Sequence, residues 1–482
     1  MASNQSAPQK SSRIPNKSLF SWAIGNFGQS LLTNAWTALL MPVFNTGFGL
    51  SAVLISWART IPAFLDAFLD PCLGYLSDIT RSRWGRRRPY ILAGSIVTSI
   101  LLVGVWWVGR DWSDHAKFAF LLTICTLNGI ACSLFMLPLN ALGYELTDDY
   151  HERTRMNAVV IFFTVIPFMI ANWIYWLALR PVFGGEINGV RWISIPLAIV
   201  VALCGIVPVL FCRERFSRQT AKKNLGLWAS IRTTLTNRPF RRLVFIRVFM
   251  TLGTTVFGGL VFYINTYYIC GGDKSLAMKI TGVGGTLYAL VALAQLPFAT
   301  PISRRMGKTK GLRLGLGILL GTSLLQPLVQ NPHYPYLQIV TTVLCAPAFT
   351  LALIFIGSFM PDICDLDEIE TGLRREGVYG AVISFIGKIE GSLCVLIVGY
   401  LVSFSGFNQA LAQQAPAVLL KLRLYAYAPN FLFTFLALLF AWRFPINEEM
   451  MRNAHLVLDA RHAAADRENS GVAAAENRPA DI

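Results

Sequence analysis

Apolar runs of about twenty residues recur along almost the whole chain, separated by short loops that are alternately neutral and basic. Runs such as FAFLLTICTLNGIACSLFMLPL and FLFTFLALLFAW approach or exceed the length that a helix needs to cross a ~30 Å hydrocarbon core. Backbone inside hydrocarbon must satisfy its own polar groups, so repeated runs of this kind fold as membrane-spanning helices. Composition agrees. Of the 482 residues, 54% are hydrophobic and 14% charged, where soluble domains carry about 25% charged residues.

Twelve spans are read near 19–43, 51–77, 89–109, 117–143, 156–179, 193–212, 243–269, 279–301, 312–329, 336–360, 377–404 and 424–443. A basic stretch divides them six and six. The predicted organisation is an N-terminal tail at 1–17, a six-helix bundle at 18–212 and a central basic loop at 213–242. A second six-helix bundle at 243–444 and a tail at 445–482 complete it. The expected fold class is therefore an all-α polytopic membrane protein of two pseudo-symmetric six-helix bundles. A weak internal echo supports duplication: SDITRSRWGRRRP between spans two and three has a counterpart in ISRRMGKTKG between spans eight and nine. In both, basic residues flank a glycine.

The formal net charge of +16 would point to nucleic acid in a soluble chain. Here the positives fall in alternate loops, at Arg81–Arg88, 213–242 and 303–313. The positive-inside rule then puts those loops and both termini in the cytoplasm and assigns no nucleic-acid partner. The first apolar run is too long for the core of a signal peptide and reads as an uncleaved signal-anchor. The nine cysteines lie scattered, without CxxC pairs or metal-ligand spacing, and read as packing residues. No phosphate-binding glycine loop, nucleophile elbow or HExxH occurs, so the chain is not expected to be an enzyme and no cofactor is assigned.

The chemistry concentrates in RTIPAFLDAFLDPCLGYLSDITRSRWGRRRP, residues 59–89. Asp66 and Asp70 are spaced i, i+4 and stack on one helix face. Apolar neighbours cannot solvate two carboxylates, so these need a cation, a partner or a wet cavity. One reading makes them a cation-coupling pair; Lys388, mid-helix in the eleventh span, needs a counter-ion of its own. The alternative is a salt bridge, to Arg59 or Lys388, that only holds helices together. Were the ion Na⁺, both carboxylates would ligate it, since hard cations take oxygen. Were it H⁺, one carboxyl would carry the proton. Arg59 either binds cargo through its fork of donors or snorkels to the outer surface. Glu390 either supports the lysine from behind or points into a cavity.

A polar stripe on the first helix (Asn26, Gln29, Ser30, Asn34), with Asn128 and Asn140 on the fourth and Trp173 on the fifth, supplies amides, a hydroxyl and an aromatic face suited to a sugar. The alternative for each is interhelical glue. Tyr263, Tyr267 and Tyr268 read as an interfacial aromatic belt, with lining of the outer vestibule as the alternative. At the cytoplasmic end, Asp78, Arg83, Arg87, Glu145, Asp362 and Asp365 form a candidate charge-paired inner gate, with a solvated loop as the alternative.

These residues carry a family resemblance. DAFLDPCLGYLSDITRSRWGRRRP, LGYELTDDYHERTRMN and MPDICDLDEIETGLRREGVYGAVISFIGK occur in register with three signature regions of the glycoside–pentoside–hexuronide:cation symporters. This family, which includes the melibiose permeases, belongs to the major facilitator superfamily. The resemblance, over roughly residues 18–445, implies that Asp66 and Asp70 are coupling-cation carboxylates and that Lys388 stands near them. It also shows departures. Ser30, Leu137, Asn140 and Ile161 stand where melibiose permeases have Asp, Asp, Trp and Arg, so the cation pair persists while most of the galactoside-reading set does not. The run RxGRRRP is also similar to a short stretch of plant sucrose transporters.

The expected function is thus cation-coupled symport, with Na⁺ or H⁺, of a sugar or glycoside by alternating access. The implied setting is a multi-pass protein of a bacterial inner membrane, working in the lipid bilayer as a monomer. Two alternatives stand beside it: the same fold carrying a lysolipid, and a membrane sensor that transports nothing.

Overall fold

The structure, a computed structural model, describes residues 14–80, 82–146, 150–212, 234–372, 375–446 and 448–458. They are helical throughout. The first group of helices comprises α1 (Asn16–Pro42), α2 (Ala52–Ile79), α3 (Arg88–Gly104), α4 (Asp114–Leu146), α5 (Tyr150–Ala178) and α6 (Glu186–Phe211). The second comprises α7 (Arg238–Tyr263), α8 (Lys274–Ala294), the short α9 (Leu296–Met306) that continues it, α10 (Lys308–Val329), α11 (Ile339–Thr371), α12 (Glu376–Phe404) and α13 (Pro416–Trp442). Ten helical stretches among the described residues are long and apolar enough to cross a membrane. Two more helices fall short for visible reasons. The polar stripe lowers the hydropathy of α1, and α3 has only 17 residues.

Local chemistry sets the helix ends. The side chains of Ser51, Asn237 and Asp273 accept from the backbone N–H groups of Leu54, Phe240 and Leu276, capping α2, α7 and α8. Proline opens α3, α7 and α13, where its missing N–H costs nothing. The two echoed basic loops both turn on a glycine with positive φ, Gly85 at +107° and Gly307 at +77°, a region that side chains avoid. A second echo escaped the sequence reading. Both α1 and α7 run on into a π-helical turn, Val43–Gly47 and Ile264–Ile269, each carrying an Asn-Thr pair (Asn45-Thr46, Asn265-Thr266).

Packing sorts the helices into two groups. In the first, α1 lies against α4, α5 and α6, with α3 against α4 and α6. In the second, α7 lies against α12 and α13, with α10 against α11 and α13. The groups meet along two seams, α2 with α12 and α5 with α8. We call the end bearing Arg83, Arg86, Arg304 and Arg305 the basic end.

At the opposite end the two groups are tied together. Lys274 donates to Glu186 Oε2 at 2.7 Å and to Thr46 Oγ1 at 2.8 Å, while Tyr175 donates its hydroxyl to Glu186 Oε1 at 2.6 Å. The Tyr263 hydroxyl donates to Asn45 Oδ1 at 2.9 Å, and Gln409 donates to the carbonyl of Gly49 at 3.0 Å. The tyrosines therefore correct the expected interfacial belt. Tyr263 is fully buried between the groups, Tyr267 is buried beside it, and Tyr268 lies under the guanidinium of Arg423.

Candidate functional site

The α2–α12 seam carries the charged residues. Helix α2 needs both polar and apolar faces, because its flank against α4 and α12 is intramolecular while Phe64, Leu65 and Phe68 are exposed. The i, i+4 spacing places Asp66 and Asp70 on one face, as expected. Lys388 of α12 forms an ion pair with Asp70 Oδ2, and the Ser133 hydroxyl of α4 donates to Asp70 Oδ1 at 2.7 Å. Asp66 also lies in the field of Lys388. Its carboxylate is seated against Gly129 of α4, so closely that a Cβ there would lie 2.5 Å from Oδ2. Two carboxylates, one hydroxyl and one ammonium thus converge from three helices. Elsewhere on the seam, Thr60 donates to the carbonyl of Ser392 at 3.1 Å and Trp57 to the Tyr400 hydroxyl at 3.2 Å.

Glu390 is buried on α12, with Oε1 unpartnered, in the field of Arg247 on α7.

A central cavity of about 470 Å³ lies between the two groups. Arg59 lines it with Asn34, Thr37, Asn172, Tyr175 and Thr255, among mostly apolar neighbours. Tyr175 and Tyr263 place its roof under the closed opposite end. Among the described residues, Arg59 has no hydrogen-bond acceptor and no carboxylate partner. Arg59 thus stands at the cavity wall. Seven residues separate it from Asp66, about 10 Å along the helix axis.

The remaining sequence candidates divide. Asn34 lines the cavity, donating to the carbonyl of Ser30 at 2.8 Å. Ser30 donates to the Thr164 carbonyl across the α1–α5 contact, and buried Asn26 donates to the carbonyl of Trp22. Gln29 contacts Thr33 and Met136. Asn128 keeps a buried unpartnered Oδ1 away from the cavity lining, and Asn140 is half-buried on α4. Trp173 donates to Thr286 Oγ1 at 2.9 Å and seals the α5–α8 seam.

At the basic end, Asp362 pairs with Lys308 at 2.7 Å and Asp365 with His455 at 3.3 Å, both within the second group. Asp367 accepts from Arg375 at 2.9 and 2.6 Å, and this fork holds the guanidinium pKa above its ordinary value. Arg83 is exposed and Arg87 buried at the start of α3. The side chains of Asp78 and Glu145 lie outside the described residues, as do Asp148 and Asp149.

Sequence reasoning missed the second half's contribution. A cavity of about 290 Å³ opens off the central one and is lined by Asn265, Gln326, Gln330, Gln338 and Asn430. Its signal lay in amides placed inside otherwise apolar spans.

Comparison with known proteins agrees with this architecture. The family model for MFS/sugar transport protein matches residues 21–448. The isoprimeverose transporter of Lactiplantibacillus pentosus is 25% identical over 458 residues, covering 93% of this chain and 92% of its own. The uncharacterized symporter YnaJ of Bacillus subtilis (strain 168) is 25% identical over 406 residues, covering 83% of this chain and 85% of its own. Among solved structures, a bacterial homolog of the human lysosomal transporter Spinster, in an inward-facing and occupied conformation, shares the fold at a TM-score of 0.65. It is 15% identical and covers 88% of this chain and 95% of that one. The chain belongs to the MFS/sugar transport protein family and is a multi-pass membrane transporter, not an enzyme.

Proposed function

We propose that this protein couples the inward flow of Na⁺ or H⁺ to the uptake of a sugar or glycoside by alternating access. The observation that carries the reading is the convergence of Asp66, Asp70, Ser133 and Lys388 on a seam between the two groups of helices. Intramembrane acids are costly and mark ion pathways. Here they sit where the groups must move against each other. The names of the relatives, a symporter and an isoprimeverose transporter, point the same way.

The donor set fits a hard monovalent cation. Two carboxylates and a hydroxyl are oxygen ligands, and among the described residues no cluster of three His, Cys, Asp or Glu offers a transition-metal site. A cation arriving at Asp66 and Asp70 competes with the Lys388 ammonium for the same oxygens. Protonation of either carboxyl does the same. Arg59 and Asn34 bind the cargo in the central cavity, and the unpartnered guanidinium favours an anionic or hydroxyl-rich group there.

In this reading α1 and α3 complete twelve spans, arranged as bundles at 18–212 and 243–444 about the central loop. The basic end and both termini face the cytoplasm, and the protein works as a monomer in the inner membrane. The closed opposite end makes the present conformation inward-facing. Asp362 and Asp365, held by their own half here, exchange partners with Arg83 and Arg87 when the inner gate shuts.

Replacing Asp70 tests the proposal. In proteoliposomes, Asp70→Asn is expected to abolish cation-driven accumulation of whichever sugar the wild type takes up, with carrier-mediated exchange surviving. Accumulation near the wild-type level would overturn the assignment. Stimulation by lysolipid and by no sugar would transfer the same machinery to a lipid cargo.

A further inference from the structure

We propose that Glu390 of α12 is a second ion-binding site, specific for a proton, whose carboxylate pairs with Arg247 of α7 when the proton leaves. It lies in the second group of helices, apart from the Asp66–Asp70 pair in the first. The site stands on its own geometry, and its place in a transport cycle rests on the reading above.

Glu390 is 8% exposed, and its Oε1 is sealed from solvent with no hydrogen-bond partner. Arg247 is the charged group in its field. That guanidinium lies along α12 one turn before Glu390. Its Nη1 donates to the carbonyl of Ile383 at 3.3 Å, and its Nη2 would stand 3.1 Å from a Cβ at Gly387. The missing side chain at Gly387 is what admits it. Gly387 and Glu390 are i, i+3 neighbours on one helix face, so a turn of either side chain brings carboxylate and guanidinium together. Among the described residues, neither Glu390 nor Arg247 has an ion-pair partner.

The other charges around α12 are already engaged. Helices α2, α7, α11 and α13 pack against it. From α2, Asp70 pairs with Lys388 and Asp66 lies in the field of the same ammonium, while Arg59 lines the central cavity. From α11, Asp362, Asp365 and Asp367 pair with Lys308, His455 and Arg375 at the basic end. From α13, Arg423 lies over the rings of Tyr268 and Tyr427. Cys394, one turn beyond Glu390, adds a thiol at the central cavity.

A bare carboxylate buried beside a reachable guanidinium would close on it, because an unpaired charge away from water is costly. A carboxylic acid makes no such demand. The open arrangement therefore fits Glu390 with its proton on. When the proton leaves to water, Arg247 answers the charge that appears, and the new ion pair draws α7 and α12 together. Both helices line the central cavity just beyond, through Thr255 and Gly258 on α7 and Cys394 and Val398 on α12. Gain or loss of one proton thus moves two walls of that cavity. A metal cation is not served, since it needs several oxygen ligands and one carboxyl beside a guanidinium offers too few.

Infrared difference spectra of the purified, reconstituted protein test this with protons alone as the ligand. Stepped from acid to alkaline pH, the wild type should lose a protonated-carboxyl C=O band that Glu390→Gln lacks and Asp70→Asn keeps. Glu390→Gln has the shape of the neutral acid, and Glu390→Asp, which retains an acid, should bring the band back at a shifted position. Arg247→Met leaves the ionised form without a partner, so Glu390 should hold its proton about tenfold more tightly. If Glu390→Gln still shows every band the wild type loses, or Arg247→Met leaves the proton affinity unchanged, the site is overturned while the carboxylate pair and transport stand. Failure of the transport reading shows elsewhere, as cation-driven accumulation at the wild-type level in Asp70→Asn.

Discussion

Gly129 offers the sharpest test of the carboxylate site, because the structure makes opposite demands on it. A methyl group there would lie 2.5 Å from Asp66 Oδ2 and 2.7 Å from Oδ1, well short of the 3.4 Å of ordinary contact. In Gly129→Ala the Asp66 carboxylate must therefore retreat by nearly an ångström. Overpacking of this kind costs about 1–3 kcal/mol. The same substitution favours α4 by about 1 kcal/mol, since alanine is the better helix former. Folding stability should thus fall by no more than about 2 kcal/mol, whereas the ligand geometry at Asp66 takes the whole displacement. The half-saturating concentration of the driving cation in proteoliposome uptake is expected to rise about 5–100-fold. A double-mutant cycle with Asp66→Ser isolates the contact. In that background Gly129→Ala has nothing to strike and should raise the melting point. Unchanged cation dependence in Gly129→Ala, or the same destabilisation in both backgrounds, would refute the placement of Asp66 against α4.

Two other perturbations bear on the cargo and on the conformational cycle. Arg59→Gln removes the cavity's guanidinium without much change of volume. Uptake of a glycoside bearing a carboxylate should lose at least tenfold in affinity, from ~1.5–3 kcal/mol for a hydrogen bond to a charged group, and a neutral analogue should lose less. Equal losses would assign Arg59 a structural role. Lys274→Met breaks the tie to Glu186 and Thr46 at the opposite end. The loss of ~1.5–3 kcal/mol should shift the equilibrium roughly 10–100-fold toward opening there. An impermeant maleimide added from that side to a Thr37→Cys, Lys274→Met protein reads the shift as faster labelling than in Thr37→Cys alone. Unaltered labelling would show that the network is not a gate.

The fold was legible because membrane burial imposes a length and a composition on every span. The two spans with the weakest apolar signal, α1 and α3, show where that logic thins. Asn26, Ser30 and Asn34 face helices or cavity, so this flank of α1 has no need of a lipid-like surface. The carboxylate pair was legible for a related reason, since an acid in hydrocarbon demands an explanation. Neutral amides demand less, and their burial cost is met by many kinds of partner. Nothing local in α1 separates Asn34, at the cavity, from Ser30, which bonds across to α5. Trp173 donates its indole N–H across the α5–α8 seam to Thr286, a contact that no local pattern shows. The amides at Gln326, Gln330 and Asn430 come from α10, the residue just beyond its end, and α13, and only tertiary packing brings them together.

On the proposed reading, the charged seam also carries ion binding to the closed end. Lys388 holds Asp70 from α12, so the α2–α12 seam is cross-linked by charge near its middle. Toward the opposite end the same two helices are joined by neutral contacts, Thr60 with the Ser392 carbonyl and Trp57 with Tyr400. A cation that takes the oxygens of Asp70 leaves an ammonium inside the seam with only Asp66 nearby. Doubling up on Asp66 is unfavourable once that carboxylate also holds the cation, so Lys388 must find other acceptors or solvent. Either way the charge cross-link is replaced by an ion held wholly by the first group, through α2 and α4. The two groups then remain joined by contacts that slide at small cost, and the seam becomes a hinge. On the proposed reading, the pair that the sequence alone allowed to be a static clamp is both: a clamp without the ion, and the release once the ion is bound.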